Sequence, residues 1–271
     1  MADKRIFITG GTRGFGKALA AEFLAGGHHV FVTGRDRDSL RAALSELGSK
    51  GRSGFVAGGS GDVGSYADLE RLASEARAAM GGIDIWINNA GVNQPSGMVW
   101  EVPPEEMERV VRTDLTGALY GARAAFEALR ESGGWIWFVE GHGSDGRIMD
   151  GLSVYGAAKR GLGYLWRALA HEARGTGVRI GALSPGIMAT DFIIRDRNDR
   201  SDRGDRGAQD RARALRILNI LADRPETVAA FAAPRILRAE RNGTRIAWLT
   251  GAKIALRFFA SPFVKRRIVE G

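Results

Sequence analysis

The feature that most constrains this fold is a strict alternation of two kinds of segment. Short runs rich in Val, Ile and Phe predict seven strands, with helical periodicity between them. The predicted strands are 4–9, 28–34, 53–58, 83–88, 134–139, 177–184 and 245–250. The predicted helices are 14–26, 37–48, 65–80, 104–131, 152–174 and 225–240. Such alternation is typical of βαβ units, so we expect an α/β fold, a doubly wound parallel sheet with helices on both faces and ligands at the carboxyl ends of its strands.

The composition restricts the available chemistry. The chain has 271 residues, of which 44% are hydrophobic, and this is enough to bury a large core in a single domain that spans 1–271. The absence of Cys excludes disulfides, thiol nucleophiles and Cys-ligated metal sites. Only four His are present and two of them are adjacent, His28 and His29, so we expect no metal site.

The net charge of +8 is unevenly distributed along the chain. Residues 195–216 contain eight Arg and five Asp, and residues 253–271 contain five Lys or Arg and one Glu. These two segments account for +7, and the rest is almost neutral. A nucleic-acid partner is therefore not expected, because a binding face for nucleic acid would be broadly basic.

Two segments fall outside the regular pattern. The run 195–213 has almost no apolar residues, and we predict a solvated, mobile loop, a lid over the substrate, or both. The tail 252–271 mixes basic residues with apolar ones, namely Ile254, Leu256, Phe258, Phe259 and Phe263. It could pack on its own domain or on a sister subunit, cover a large apolar substrate, or touch an anionic membrane as a peripheral contact.

The N-terminus carries no evident signal peptide. The N-terminus enters a short strand-like run without an apolar stretch of signal-peptide length. No segment approaches the roughly 20 apolar residues that a transmembrane helix needs. We therefore expect a cytoplasmic protein without a transmembrane segment.

The motif "TGGTRGFG" follows the first predicted strand and opens the first predicted helix. Gly10, Gly14 and Gly16 permit a tight turn, close approach of the backbone to a pyrophosphate, and close packing of helix on strand. Thr12 and Phe15 lie in the same loop. This position, at the start of a βαβ series, predicts a dinucleotide site.

Charge at the end of the second strand bears on which dinucleotide binds. An acidic residue there binds the ribose hydroxyls of NAD, whereas a 2′-phosphate needs a nearby Arg. The sequence places Arg35 at this point and Arg13 in the glycine loop, which favours NADP(H). Asp36 leaves NAD open, and Arg35 could instead be only a solvated residue at a helix start.

Two later strand ends complete the predicted cofactor site. Asp62 and Val63 in "GGSGDV" lie where an adenine ring could be held. The segment "INNAG" brings four residues close to the adenosine ribose, namely Asn88, Asn89, Ala90 and Gly91. Runs of small residues at strand ends could also form tight loops and nothing more.

Tyr155 and Lys159 are four residues apart near the start of a predicted helix, so both project from one face. An ammonium beside a phenol stabilises the phenolate and lowers the pKa of the phenol. Such a pair can deliver a proton to a carbonyl oxygen as hydride reaches the carbon. On its own, however, this spacing is common and usually structural.

With "TGGTRGFG", "NNAG" and "YGAAK" in this order, the chain resembles the short-chain dehydrogenase/reductase family over essentially its whole length. The resemblance implies a Rossmann-type domain that assembles as a homodimer or homotetramer. It also implies that Tyr155 is the catalytic acid/base and that Lys159 binds the nicotinamide ribose and tunes Tyr155. The match of "SPGIMAT" to the family's motif after the sixth strand implies contacts to the nicotinamide from Pro185, Gly186, Ile187 and Thr190.

Two positions depart from the family pattern. The serine that usually polarises the carbonyl is absent: counting 13 residues back from Tyr155 gives His142, and matching the strand end gives Gly141. We predict that Ser144, or a backbone N–H of residues 141–143, donates to the carbonyl oxygen instead. Asp114 in "TDLTG" stands where the family often has an Asn that holds a relay water, and a carboxylate can share that task.

A narrower resemblance accounts for the missing serine. The segments "EGHGSDGR", "LSPGIMATDF", "ILADRPETVA" and "RIAWLTG" are similar to the chlorophyll b reductase branch, which has a glycine-rich loop at the same place. The resemblance implies NADPH-dependent reduction of the 7-formyl group of a chlorophyll b type pigment to hydroxymethyl. The alternatives are a general reductase of steroid-like, quinone or aliphatic carbonyls, and a non-catalytic dinucleotide-binding sensor or scaffold.

Overall fold

The computed structural model describes residues 3–50, 54–188, 215–264 and 266–268. Its strands are β1 (Arg5–Ile8), β2 (His29–Gly34), β3 (Val56–Ser60), β4 (Ile85–Asn88), β5 (Gly134–Val139), β6 (Val178–Ser184) and β7 (Thr244–Ala247). They form one parallel sheet in the order β3-β2-β1-β4-β5-β6-β7. The order reverses between β1 and β4, so the crevice expected of a doubly wound sheet opens there.

Helices cover both faces of this sheet. They are α1 (Gly14–Ala25), α2 (Arg37–Lys50), α3 (Tyr66–Met80), α4 (Pro104–Val111), α5 (Gly117–Leu129), α6 (Ser153–Glu172), α7 (Pro225–Leu237) and α8 (Gly251–Ala260). Residues 215–221 are also helical, and Val99–Glu101 form a 3₁₀ turn. The predicted doubly wound α/β sheet is confirmed. In the described ranges, no helix is both long and apolar enough to cross a bilayer.

Period-2 alternation in the strands divides the core into two layers. Ile6 and Ile8 of β1 pack with α1, α2 and α7 on one face of the sheet. Phe7, between them, packs on the other face with α3, α5 and α6. On that face the Phe7 ring stacks on Trp86 at a centroid distance of 3.8 Å and on Phe31 at 5.6 Å. Apolar side chains on both faces explain why the strands appear as nearly continuous apolar runs.

The structure differs from the predicted elements at three places. The predicted helix 104–131 is interrupted by a π-helical turn, Arg112–Thr116, which turns Thr113 and Asp114 inward. Strand β3 begins at Val56 and continues through Gly58 and Gly59, since their backbone pairs with β2 although they carry no side chain. The third difference is a pair of helices at 215–221 and 251–260 that the pattern does not predict; the second, α8, has no buried residue. The 195–213 segment lies outside the described residues.

Candidate active site

A cleft of about 1570 Å³ runs along the carboxyl ends of the strands. A pocket for one drug-sized ligand measures roughly 300–1,000 Å³, so this cleft has room for a dinucleotide and a second molecule. Most of the sequence-predicted site residues line it: Gly10, Thr12, Arg13, Gly14, Phe15, Arg35, Val63, Asn89, Ala90, Gly91, Tyr155, Lys159, Pro185, Gly186 and Ile187. Gly16, Asp62, Asn88, Asp114 and Ser144 are not among the lining residues, and Thr190 lies outside the described residues.

The glycine loop has the geometry that a pyrophosphate requires. Gly10 and Gly14 adopt φ values of 67° and 55°, which L residues with a side chain rarely take. A Cβ on Gly16 would lie 2.4 Å from both the Asn89 amide nitrogen and the Gly10 carbonyl oxygen. α1 begins at Gly14 without a side-chain cap from Arg13, and Gly14 and Phe15 line the cleft, so N–H groups that lack a side-chain cap lie at this end of the helix. These residues therefore fit a dinucleotide.

Two arginines and one aspartate lie around the end of β2 and the glycine loop. Arg13 and Arg35 line the cleft and are exposed, and neither has an ion-pair partner among the described residues. Asp36 is already engaged, because its Oδ1 accepts a hydrogen bond of 2.8 Å from the Ser39 N–H at the start of α2. Hydrogen bonds from the side chain and backbone of Ser39 keep the pKa of Asp36 below its usual value.

Some residues that follow β3 and β4 line the cleft, and others hold the nearby loops in place by hydrogen bonds. Val63 lines the cleft, whereas Asp62 accepts a 2.9 Å hydrogen bond from the Gly64 N–H and orders its own loop. Asn89 donates to the Thr9 and Gly10 carbonyl oxygens at 2.9 and 3.0 Å, so it clamps the glycine loop to β4. Asn88 is buried and accepts a 3.0 Å hydrogen bond from the Trp86 indole.

Tyr155, Lys159 and Asp114 form a buried group beside the cleft, which Tyr155 and Lys159 line. The Lys159 Nζ lies 3.0 Å from Asp114 Oδ2, and the other carboxylate oxygen accepts a 2.7 Å hydrogen bond from the Val92 N–H. Gly91 lies directly over this ion pair, since a Cβ there would be 3.1 Å from Asp114 Oδ2 and 3.4 Å from Lys159 Nζ. The π-helical turn thus places the Asp114 carboxylate next to the Lys159 ammonium.

Burial and the ion pair set the protonation of these groups. Burial raises the pKa of Tyr155 to about 12. The Lys159 ammonium lowers this pKa, and the Asp114 carboxylate raises it further. Lys159 has a raised pKa, because Asp114 and Tyr155 outweigh its desolvation, and burial raises the pKa of Asp114. From the Tyr155–Lys159 spacing alone we expect a lowered phenol pKa. In the structure the pKa of Tyr155 is raised instead, because burial of the phenol outweighs the effect of the Lys159 ammonium.

The strand end after β5 explains the missing serine sterically. A Cβ on Gly141 would lie 2.2 Å from the Tyr155 hydroxyl oxygen and 3.0 Å from Lys159 Cε. No side chain fits there unless Tyr155 moves. Ser144 lies beneath the same turn, where it is buried and its Oγ accepts a 3.1 Å hydrogen bond from the Gly141 N–H. The Gly141 N–H is therefore occupied, and Ser144 orders the turn that carries Gly141.

Glu140 and His142, the neighbours of Gly141, have different surroundings. Buried Glu140 accepts a 3.1 Å hydrogen bond from the Trp166 indole and one of 2.8 Å from Arg245 Nε, so it ties β5 to α6 and β7. His142 lines the cleft, and its buried Nε2 has no hydrogen-bond partner among the described residues.

Several site residues have no signal in the sequence motifs. The Gln94 side-chain oxygen accepts a 2.7 Å hydrogen bond from the Tyr155 N–H, and its amide nitrogen donates to the Gly151 oxygen at 2.9 Å. Gln94 therefore fixes the start of α6 to the loop after β4. In the sequence, its position three residues beyond "NNAG" is the one feature that points to a role in the site. The cleft is also lined by apolar residues far along the chain, namely Met98, Met149, Met188, Ile217, Leu218 and Ile268.

Comparison with protein families and curated proteins agrees with this geometry. The family model described as short chain dehydrogenase matches residues 4–201. "Chlorophyll(ide) b reductase NOL, chloroplastic" of Oryza sativa subsp. japonica is 34% identical over 265 residues, 94% of this chain and 74% of the relative. "Probable chlorophyll(ide) b reductase NYC1, chloroplastic" of the same plant is 31% identical over 270 residues, covering 93% of this chain but 51% of the relative. The chain thus spans about half the length of that relative.

Solved structures share the fold over nearly the whole chain. Levodione reductase superimposes with a TM-score of 0.81 at 24% identity, covering 93% of this chain and 98% of that one. A variant of actinorhodin polyketide ketoreductase with NADPH gives 0.79 at 27% identity, covering 92% and 97%. A 3-ketoacyl-(acyl-carrier-protein) reductase from Brucella melitensis complexed with NADH gives 0.75 at 23% identity, covering 92% and 98%.

Proposed function

Since the chain belongs to the short-chain dehydrogenase family, we propose that it is an NADPH-dependent carbonyl reductase acting on the 7-formyl group of a chlorophyll b type pigment. The single observation that carries this proposal is the buried group formed by Tyr155, Lys159 and Asp114 beside the cleft, in which Lys159 Nζ lies 3.0 Å from Asp114 Oδ2. The pigment class is supported by the similarity to two plant chlorophyll(ide) b reductases and by the apolar rim that Met98 and Met149 form on a large cleft.

The chemistry that the residues perform follows from their positions. Bound NADPH would supply a hydride to the carbonyl carbon. Tyr155 donates its phenolic proton to the carbonyl oxygen, which gives the alcohol and leaves a phenolate. Lys159 stabilises that phenolate, and Asp114 holds the ammonium in place at 3.0 Å. Gly141 lets the Tyr155 hydroxyl reach its position, because no side chain occupies that space.

The assay follows NADPH absorbance in the presence of chlorophyllide b. We expect turnover by the wild type and a loss of about 10²–10⁴-fold in kcat for Tyr155→Phe, the usual contribution of a general acid. NADPH affinity should change little in this variant, which separates a chemical defect from a binding defect. Unchanged turnover in Tyr155→Phe would remove Tyr155 from the mechanism.

A second candidate is a general reductase of smaller carbonyls, favoured by the 27% identity to a polyketide ketoreductase. A panel of steroid-like, quinone and aliphatic carbonyls distinguishes the two. Strong turnover of small ketones without reduction of the pigment aldehyde would favour this second candidate. Measurable NADPH binding without turnover of any carbonyl would contradict both and favour a dinucleotide-binding sensor.

The preference for NADPH is proposed on the charges of Arg13 and Arg35, whose exposed guanidiniums suit a 2′-phosphate. Arg35→Ser should raise the KM for NADPH by about tenfold, roughly 1.4 kcal/mol, and leave the KM for NADH nearly unchanged. Arg37→Ser, two residues further on at the start of α2, is the matched control for a general loss of positive charge. Equal effects of Arg35→Ser on both cofactors would contradict the assignment.

We also propose that the protein assembles as a homodimer or homotetramer. Leu119 on α5 and Tyr164 on α6 are large side chains that are 45% and 77% exposed. Light scattering of the purified protein tests this, and a monomer at micromolar concentration would contradict it.

A further inference from the structure

The C-terminal segment, residues 251–268, returns to the cleft and is pinned there by one buried carboxylate. Asp223 is only 4% exposed, and both of its oxygens are engaged. Its Oδ2 lies 2.7 Å from Arg257 Nη2 and accepts a 2.6 Å hydrogen bond from the Trp248 indole. Its Oδ1 lies 2.6 Å from Arg266 Nη2. Two cations from the C-terminal segment thus converge on a single anion inside the protein.

The same arginines bind the end of the helix at 215–221. Arg266 donates to the carbonyl oxygens of Ile220 and Ala222, and Arg257 donates to that of Leu221 at 2.8 Å. A helix leaves its last carbonyl groups without partners, and cations there satisfy both the hydrogen bonds and the helix dipole. The short helix and the C-terminal segment therefore stabilise each other.

This assembly is connected to the loop that follows β6. The Asp223 N–H donates to the Ile187 carbonyl oxygen at 3.0 Å, and Asp223 forms a parallel bridge with Met188. The Ile268 N–H donates to Asn219 Oδ1 at 2.7 Å, which fixes the end of the segment onto the short helix. As a result, Leu218 and Ile268 line the cleft beside Ile187 and Met188.

The surface built in this way is apolar, although the segment that builds it is basic. Arg257 and Arg266 point inward to Asp223, while Ile217, Leu218 and Ile268 face the cleft. Met98 and Met149 line the same cleft and present exposed apolar side chains. These apolar side chains suit the body of a large apolar molecule, with its carbonyl group directed at Tyr155.

We propose that Leu218 and Ile268 form a substrate-contacting wall, and that Arg266 is the positioning residue that holds this wall through Asp223. The inference rests on the proposed carbonyl reductase function and adds to it a specificity surface from the C-terminal segment. A large flat carbonyl compound gains apolar contact on this wall. A small carbonyl compound does not reach it.

The test measures binding without turnover. The NADP⁺ complex, which has no hydride to give, is titrated with 1-pyrenecarboxaldehyde as the large probe and with benzaldehyde as the small one. Ile268→Ala and Arg266→Gln should raise the Kd of the pyrene aldehyde about tenfold. Their affinities for benzaldehyde and NADP⁺ should stay within twofold of the wild type.

Arg267→Gln is the matched control, because Arg267 is the exposed neighbour of Arg266 and has no ion-pair partner among the described residues. It should leave every Kd unchanged. Ile268→Ala removes three carbons of one side chain and leaves the ion pair of Arg266 with Asp223 in place. It therefore tests the wall even if Arg266→Gln destabilises the fold.

Three results would contradict the proposed wall. The first is that the wild type does not bind the pyrene aldehyde, and the second is that Ile268→Ala binds it with an unchanged Kd. The third is that the variants bind NADP⁺ more weakly but the aldehyde as tightly as the wild type. A failure of the proposed function has a different signature. In that case the pyrene aldehyde binds and the variants weaken it as expected, yet no carbonyl compound consumes NADPH.

Discussion

Gly141 is the position where a single added methyl group should disable the site. Its Cβ would lie 2.2 Å from the Tyr155 hydroxyl oxygen, whereas ordinary van der Waals contact begins at 3.4 Å. In Gly141→Ala the hydroxyl must therefore move by about 1.2 Å, the difference between these distances. A misplacement of about 1 Å in a catalytic group can cost about 10²-fold in rate, so we expect kcat to fall by about that factor.

The clash also predicts a coupling between two substitutions. Gly141→Ala should destabilise the protein by about 1–3 kcal/mol, the usual cost of overpacking. In the Tyr155→Phe background the hydroxyl is gone, and the nearest remaining atoms are the ring Cζ and Lys159 Cε, both at 3.0 Å. The same alanine should then be better tolerated, and a double-mutant cycle in urea should show a coupling of about 0.5–3 kcal/mol.

The assays are NADPH-dependent carbonyl reduction, NADPH binding and urea denaturation. Gly156→Ala is the matched control, since it lies beside Tyr155 on α6 and its added Cβ meets nothing within 4 Å. It should keep its activity and be equally stable or slightly more stable, because alanine favours a helix interior over glycine. Full activity of Gly141→Ala, or equal destabilisation in both backgrounds, would refute the steric argument. Gly141→Ser, which restores the family's usual residue, should fail for the same reason as Gly141→Ala.

Three further substitutions test other parts of the structure. Asp114→Asn removes a carboxylate that raises the pKa of Tyr155, so the alkaline decline of carbonyl reduction should move to lower pH; an unmoved kcat–pH profile would contradict the electrostatic coupling. Partial burial acts to raise the pKa of Asp84, but hydrogen bonds from Arg5 lower it below its usual value of 3.8. The stabilisation of the fold by these hydrogen bonds is therefore fully present above pH 3.8, and it is lost as the pH falls through the pKa of Asp84 in the folded protein. Asp84→Asn should accordingly cost about 1.5–3 kcal/mol at pH 7, and calorimetry should show that difference shrinking in acid. Gly16→Ala should weaken NADPH binding at least tenfold in a fluorescence titration, because its Cβ would lie 2.4 Å from the Asn89 amide nitrogen. Wild-type affinity in this variant would show that Asn89 can move without disturbing the glycine loop.

Segments with strong local patterns could be predicted without the structure. Strands β1, β2, β4 and β5 have β-branched and aromatic runs, and period-2 alternation in β1 places Ile6 and Ile8 on one face and Phe7 on the other. The glycine loop could be predicted because its turn needs positive φ at Gly10 and Gly14, a local steric requirement. The Tyr155–Lys159 pair follows from helical spacing alone.

The surroundings of the motifs could not be predicted in the same way. The direction of the Tyr155 pKa shift depends on burial and on Asp114. Asp114 precedes Lys159 by 45 residues and reaches it because a π-helical turn directs the carboxylate inward. The role of Gln94 depends on a contact with a backbone N–H 61 residues away. No local period carries such contacts, because they arise only when separate elements pack together.

The sheet, the glycine loop and the Tyr155–Lys159 pair could be predicted from the sequence, since periodicity and backbone sterics are properties of short segments. The sequence also has no serine at the end of the fifth strand, where the family usually has one. The reason came from the packing of separate elements, because the Tyr155 hydroxyl occupies the space beside Gly141. The tertiary structure likewise decided that the basic C-terminal segment turns its arginines toward Asp223 and its apolar Ile268 toward the cleft. The physical reason is that a buried carboxylate must be paired, and its partners come from wherever the fold brings cations close.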